Sequence, residues 1–361
     1  MRLYFTFISR WVFTIAFIVL ITGSGYSQST EIKFFGHIDV FHEDEVGEDI
    51  FNSFSLGEHD FFVTSQITDR ISFLSENVIK LTSSGGFAAS IERARIKFNY
   101  AKKHSVIFGK MHTPVSYWND TFHHGRLFFP TIDRPIQFSL VIPIHEIGLR
   151  LQGQNIGKLN FGYDIMLGNG ISSSDLEDNG EAKSLTVAGH IKPRPTMRIG
   201  AGLYFDTIEG NVSGSHSGHT SKYHNHNSPY TGDVGFKLYN FSFANFAYKW
   251  ETLLELTLNY SETDTLGTAQ NLTSFAYLGY RINDSNILYT HWDYADIAFN
   301  DLHTRPLYLN KVALGIRHEF SYLVNVKLEY ENYFYRNVEG TMHHSNFNNK
   351  YEIKFQIAYG F

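Results

Sequence analysis

The chain has 361 residues, a formal net charge of −6, no cysteine, 32 Phe and 22 Tyr. Without cysteine there is no disulfide scaffold, Cys-ligated zinc or lipidated N-terminal cysteine, and the acidic balance gives no footing for a nucleic-acid partner. Aromatics at 16% are high for a soluble domain and expected where aromatic girdles flank a lipid-facing band.

The N-terminus reads as a targeting segment. Arg2 and Arg10 supply positive charge, and Trp11 to Ile21 form an apolar run too short to span a bilayer comfortably. Gly25 and Ser27 are small residues at the positions a signal peptidase reads. The expected division is a signal peptide over 1–27 and one domain over 28–361.

From there the dominant pattern has period two. Alternation predicts strands over 32–42, 57–67, 71–81, 89–100, 104–112, 145–154, 158–167 and 184–193. It continues over 196–206, 234–247, 250–261, 273–283, 286–296, 309–319, 323–334 and 350–361. Side chains in a strand alternate between faces, so each strand has a greasy and a polar side. Ala94, Ile96, Phe98 and Tyr100 oppose Arg95, Lys97 and Asn99, while Val324, Val326, Leu328 and Tyr330 oppose Asn325, Lys327 and Glu329. Glu92 breaks this pattern and is expected at a rim. Short turns, such as Ala101-Lys102-Lys103 and Asn283-Asp284-Ser285, alternate with long polar loops near 43–56, 113–144, 168–183, 207–232, 261–272, 297–308 and 336–349.

The closing segment is the clearest. Tyr351, Ile353, Phe355, Ile357, Tyr359 and Phe361 take every second position of 350–361. With the export signal, dyad strands and alternating turns and loops, this resembles a porin-type β-barrel of the Gram-negative outer membrane. The resemblance implies an all-β, transmembrane, antiparallel up-and-down barrel of about sixteen strands, in the range of about fourteen to eighteen. Strand 350–361 should pair with 32–42, since no open sheet edge can sit in lipid. Tyr359 and Phe361 would form the signal read by the barrel assembly machinery. Further partners implied are outer-membrane lipid, small solutes or ions, and two more copies in a homotrimer.

If the polar faces point into a water-filled lumen, their charges set selectivity. Arg93, Arg95 and Lys97 form a basic ladder, and Arg126, Arg134 and Arg150 extend the cationic lining, with Asp39 and Glu329 as an opposing acidic wall. The segment 113–144 carries Trp118, Phe122, Phe128 and Phe129, which want burial. It is similar to the long third loop that folds inward and narrows trimeric porins. On that reading His112, Trp118, His123 and His124, with His145, belong to the constriction. Through the basic ladder and early inward loop alone the chain also resembles phosphate-selective porins, whose specific basic clusters have no residue-by-residue match in it.

Histidine is the remaining anomaly, with 18 in all. His216, His219, His224 and His226 lie in one Ser/Gly/Asn-rich loop, and imidazole is the commonest ligand for zinc or copper. Asp206, Glu209 and Asp233 are candidate further ligands. Three functions stand side by side: a passive porin with anion preference and no cofactor, a metal-uptake or metal-binding porin, and a plugged structural or adhesive barrel. No Gly-x-Ser-x-Gly, His-Glu-x-x-His or phosphate-cradling glycine loop occurs, so an enzyme is not expected.

Overall fold

The computed structural model describes residues 29–45, 51–81, 86–122, 125–171, 181–209, 232–304, 306–336 and 349–361. Its first eight strands are β1 (Ser29–Glu45), β2 (Phe51–Gln66), β3 (Ile71–Leu81), β4 (Phe87–Ala101), β5 (His104–His112), β6 (His145–Ile156), β7 (Phe161–Gly168) and β8 (Ser184–Arg194). The second eight are β9 (Met197–Ile208), β10 (Val234–Phe246), β11 (Trp250–Thr263), β12 (Gly267–Asn283), β13 (Asn286–Ile297), β14 (Leu307–Ser321), β15 (Val324–Arg336) and β16 (Lys350–Gly360). Each pairs antiparallel with its sequence neighbour, and β1 pairs with β16, so the sheet closes. Ile38 lies opposite Ile357 and Val40 opposite Phe355. The closing aromatic takes part: Phe361 N–H donates to Phe34 O at 3.0 Å, and Phe34 N–H to Phe361 O at 2.9 Å. Closure leaves no row of unpaired backbone groups.

The greasy rows face outward. Val312, Leu314 and Ile316 are 46, 57 and 39% exposed, while the alternating Ala313, Gly315 and Arg317 are buried. An outer wall this apolar is stable only against hydrocarbon. No helix among the described residues is long and apolar enough to cross a membrane.

Two loop expectations are corrected. Residues 261–272 are not a long loop: β11 runs to Thr263 and β12 starts at Gly267. There the outward positions turn polar, as at Thr268 and Gln270, while pairing continues. Hydrophobic periodicity therefore fades before the strand ends. The loop expected over 43–56 shortens for the same reason, because β1 reaches Glu45 and β2 begins at Phe51. Glu92 is not at a solvated rim. Arg93 lies opposite Glu76 but Ile91 opposite Asn77, so Glu92 is the extra residue of a β-bulge. It is buried and accepts a hydrogen bond from Ser90 Oγ at 2.6 Å.

Between β5 and β6 the chain enters the barrel. This inserted segment carries helix α1 (Tyr117–Thr121), a 3₁₀ turn (Arg126–Phe128) and helix α2 (Ile136–Leu140). The largest apolar clusters lie between it and the inner wall. Val115, Leu140, Val141 and Ile142 meet Tyr204, Phe236, Leu238 and Leu309 in one. Trp118, Phe129 and Phe138 meet Leu253, Phe275, Tyr277 and Tyr289 in the other.

Candidate functional site

The inserted segment is closed at its neck. Thr113 N–H donates to Ile144 O at 3.1 Å. The Asn119 amide donates to Thr113 O at 2.9 Å and Ile144 O at 3.0 Å, tying both ends together. Ser116 caps α1, its Oγ accepting from Asn119 N–H. The aromatic residues find the burial their sequence demands: Trp118 packs edge-on against Phe122, Phe129 and Phe275 at 5.2, 5.2 and 5.5 Å between ring centres. The segment lies close to the wall at β9 because residue 202 is glycine. A Cβ there would stand 2.3 Å from Val115 O.

Polar anchors fix the rest. Glu255 on β11 accepts from Trp118 N–H at 2.6 Å, Ser116 Oγ at 3.0 Å and the Gln137 amide. Asp120 bridges Arg198 at 2.8 Å and Arg150 at 3.3 Å. Burial pushes the Asp120 carboxyl up, but these two guanidinium groups outweigh burial and hold it well below the usual range. Asp60 receives Gly125 N–H at 2.9 Å, and Asp293 receives Ile136 N–H at 2.7 Å. Lys327 and Asn325 hold the carbonyls of Arg126 and Leu127 at 2.7 and 2.6 Å. Asp133 pairs with Lys354 at 2.5 Å. Burial raises its carboxyl, Lys354 lowers it, and the net displacement is downward.

The predicted site residues separate into distinct environments. Arg93, Arg95 and Lys97 all stand on the inner face of β4. Arg93 is paired with Glu76 and lies over the Phe62 ring at 5.2 Å. Arg95 makes no hydrogen bond or ion pair with any described residue, and Lys97 reaches only Gln152 Oε1 at 3.3 Å. Arg150 is 3% exposed and held by Asp164 at 2.8 Å as well as Asp120, so its charge is matched. Arg126 donates to Ile132 O at 2.9 Å and stacks over Phe129 at 5.0 Å. Arg134 lies over Phe129 and Phe138 and 3.7 Å from Glu58. Burial, with Arg126 beside it, draws the Arg134 guanidinium down to about 10.

Asp39 faces His37 at 3.4 Å and Gln356 at 2.9 Å. Glu329 is fully buried beneath the inserted segment. It accepts from Tyr289 Oη at 2.7 Å and Ile132 N–H at 3.3 Å and meets His291 at 3.2 Å, so it anchors the segment instead of facing pore water. His112 is buried, with its ring 5.2 Å from that of His145, which pairs with Glu92 at 3.2 Å. Tyr359 and Phe361 lie against Phe34 on the outer face, with ring centres 6.2 and 4.8 Å away. His123 and His124, and His216, His219, His224 and His226, lie outside the described residues. Of their candidate companions, Asp206 accepts from Ile171 N–H at 2.6 Å and Tyr204 Oη at 2.9 Å, and Glu209 from Glu181 and Ala182 N–H, both at 2.7 Å.

The alternation did not reveal a charge network across β13 to β16. Lys311 lies 3.3 Å from Asp293 and 3.0 Å from Glu331, and Lys354 lies 2.5 Å from Glu331. His291, Glu329 and Glu331 bring ligand-type atoms within 4.8 Å of one another, as do Asp133, Glu331 and Glu352. Lysine ammonium groups already neutralise these carboxylates, which weakens the case for a metal ion there. The available signal was charge at inner-face positions of consecutive strands; which charges meet depends on register.

No protein-family model matches the chain, and no curated protein matches it in sequence. Solved structures do match in shape. The anion-selective porin of Comamonas acidovorans superposes with a TM-score of 0.65 at 9% identity, over 93% of this chain and 100% of that one. The outer-membrane protein OmpT of Vibrio cholerae, in its trimer form, gives 0.62 at 11% identity, over 92% and 100%. The outer-membrane channel DcaP of Acinetobacter baumannii gives 0.62 at 10% identity, over 94% and 99%. The chain therefore has the fold of the outer-membrane porins: one closed barrel of sixteen antiparallel strands with an early loop folded inside.

Proposed function

We propose that this protein is a passive, anion-preferring porin of a Gram-negative outer membrane. The observation that carries the reading is the contrast on β4, where Arg95 and Lys97 lack any carboxylate partner among the described residues while neighbouring Arg93 is matched by Glu76. Unmatched cations on a lumen wall raise the local concentration of small anions and lower that of cations. The apolar outer wall supports residence in lipid, and the fold is that of known outer-membrane channels. Movement of solutes down a gradient needs no catalytic group or cofactor. Residues 1–27 act as the signal peptide on this reading, 28–361 form the barrel, and Tyr359 with Phe361 address the assembly machinery. A homotrimer is the expected assembly, and one structural neighbour is described in a trimer form.

The test is the reversal potential of the refolded mature protein in a planar bilayer under a KCl gradient. Steady current with a chloride bias that falls in Arg95→Glu is expected. An unchanged bias in that variant removes Arg95 from the selectivity mechanism, and absence of current leaves a plugged or adhesive barrel. Block by low zinc would instead favour the metal-binding reading of His216, His219, His224 and His226.

A further inference from the structure

The short turns mark the periplasmic end of an outer-membrane barrel, and charge is spread unevenly around that rim. Four consecutive short turns, β4–β5, β6–β7, β8–β9 and β10–β11, bring Lys102, Lys103, Lys158, Lys192, Arg194 and Lys249 to it. None of these turns contains Asp or Glu. The nearest carboxylates on the same strands, Glu251 and Asp164, lie on the inner face and are held by Arg317 and Arg150, both at 2.8 Å. Arg198, just inside the β8–β9 turn, is matched by Asp120 at 2.8 Å. The rest of the rim is balanced. Lys33 pairs with Glu31 at 3.3 Å, Arg281 with Glu319 at 2.9 Å, and Arg70 follows Asp69. Asp284, in the β12–β13 turn, closes the basic arc and accepts from Tyr248 Oη at 2.7 Å.

Lys102, Lys103, Lys158, Arg194 and Lys249 are exposed, and none forms an ion pair with a carboxylate among the described residues. Lys103 donates to the backbone carbonyl of Asn155, which leaves its charge unneutralised. The outer wall fixes the level of these cations. Tyr100, Trp250 and Tyr280 are exposed on the outer face at the same end of the barrel. The rings of Trp250 and Tyr280 have centres 4.8 Å apart, and the Lys249 ammonium lies 5.9 Å from the centre of Tyr280. Exposed Trp and Tyr on a membrane wall sit at the height of the lipid headgroups. Lys249 therefore stands on the lipid side of the rim, at headgroup height, and Lys102 follows Tyr100 at the same level. Successive turns are two strands apart, about 10 Å, so the arc faces several headgroups at once.

We infer that the β4–β11 arc of the periplasmic rim is a binding surface for anionic phospholipid headgroups of the inner leaflet. Each Lys or Arg held near a negative lipid surface adds to the attraction. An arc without carboxylates gathers such lipids along one side of the barrel, while the balanced turns opposite do not. The surface lies outside the lumen, so its binding does not depend on ion selectivity along β4.

The test is quenching of tryptophan fluorescence by brominated phosphatidylglycerol or brominated phosphatidylcholine, with the mature barrel refolded in phosphatidylcholine vesicles at low salt. In a Trp292→Phe background Trp250 reports on the lipid beside the arc, because Trp118 is buried inside the barrel. Phosphatidylglycerol should associate there roughly fivefold more strongly than phosphatidylcholine. Raising KCl to about 1 M, where the Debye length is about 3 Å, should reduce that preference. Arg194→Gln/Lys249→Gln, both in exposed positions, should bring it close to unity. A reporter moved to the balanced side by Trp250→Phe/Phe320→Trp should show no preference. The inference is overturned if Trp250 sees both lipids equally, if both reporters show the same preference, or if the preference survives Arg194→Gln/Lys249→Gln. It is also overturned if soluble glycerol phosphate abolishes the preference, which would assign the arc to free phosphate-bearing solutes. Equal association of both lipids together with capture of polyglutamate would assign it to an acidic polymer instead. Because the readout is lipid association, a barrel that conducts without selectivity leaves the result unaffected.

Discussion

The inner wall carries lysine, arginine and carboxylates nearly all the way round, but the β4 region and the β13–β16 region use them differently. Over β13 to β16, Lys311 and Lys354 are interleaved with Asp293, Glu331 and Asp133 under the inserted segment. On β4, Arg95 and Lys97 have comparable charge but form no ion pair with a carboxylate among the described residues. The difference teaches that a charge at an inner-face position acquires its role from what covers it. Covered charges must be satisfied, by carboxylates as at Lys311 or by carbonyl and amide oxygens as at Lys327, because an unsatisfied buried ion costs several kcal/mol, and they then act as anchors. Uncovered charges can remain unmatched and act on passing ions.

Parallel substitutions should expose that difference most strongly. Lys311→Met leaves Asp293 and Glu331 short of a buried cation and should cost roughly 3–5 kcal/mol, read as a lower unfolding temperature of the refolded barrel. Lys97→Met should leave stability within roughly 1 kcal/mol and instead reduce the anion bias. Equal stability losses would break the comparison.

The next effect concerns the segment itself. Glu255→Ala strands the donors on Trp118, Ser116 and Gln137. Each buried donor left without a partner costs roughly 1–3 kcal/mol, so the segment should loosen. Proteolysis within 113–144 and flicker in the single-channel current should both rise. Unchanged protection would show that the aromatic packing around Trp118 suffices alone.

The smallest effect is that of mild acid. Asp120 and Asp133 are both held below the usual carboxylate range by Arg198 and Arg150 and by Lys354. A depressed value means that their stabilising effect is fully present above the unfolded value, about pH 4. It is lost only as pH falls through the lower folded values. Between about pH 7 and pH 5 these two pairs should therefore stay intact, and their loss should be confined to stronger acid. Loosening of the segment near pH 6 that persists in Glu255→Gln would contradict the assigned pairs.

Legibility in the sequence followed the physics of each element. Strands such as 71–81 and 104–112 matched their observed limits because lipid on one side and polar surroundings on the other impose a strict alternation. The β11–β12 turn was harder to see, because above the hydrocarbon both faces of a strand can be polar while the ladder continues. The bulge at Glu92 inverted the expected environment of one carboxylate, and a single extra residue leaves little trace in composition. Trp118 and its neighbours announced burial, but not which strands would receive them.

By itself the sequence determined the sheet, its faces and the strand that closes it, because those depend on local alternation and on the requirement that backbone groups in lipid be paired. It also determined that 113–144 needed shelter. Only the tertiary structure decided that Glu255 and Glu329 are anchors, that Arg150 is matched, and that Arg95 is not. Pairing is a property of distance across strands far apart in the chain, and the same charged residue types can seat a loop or face an ion path depending on register and cover.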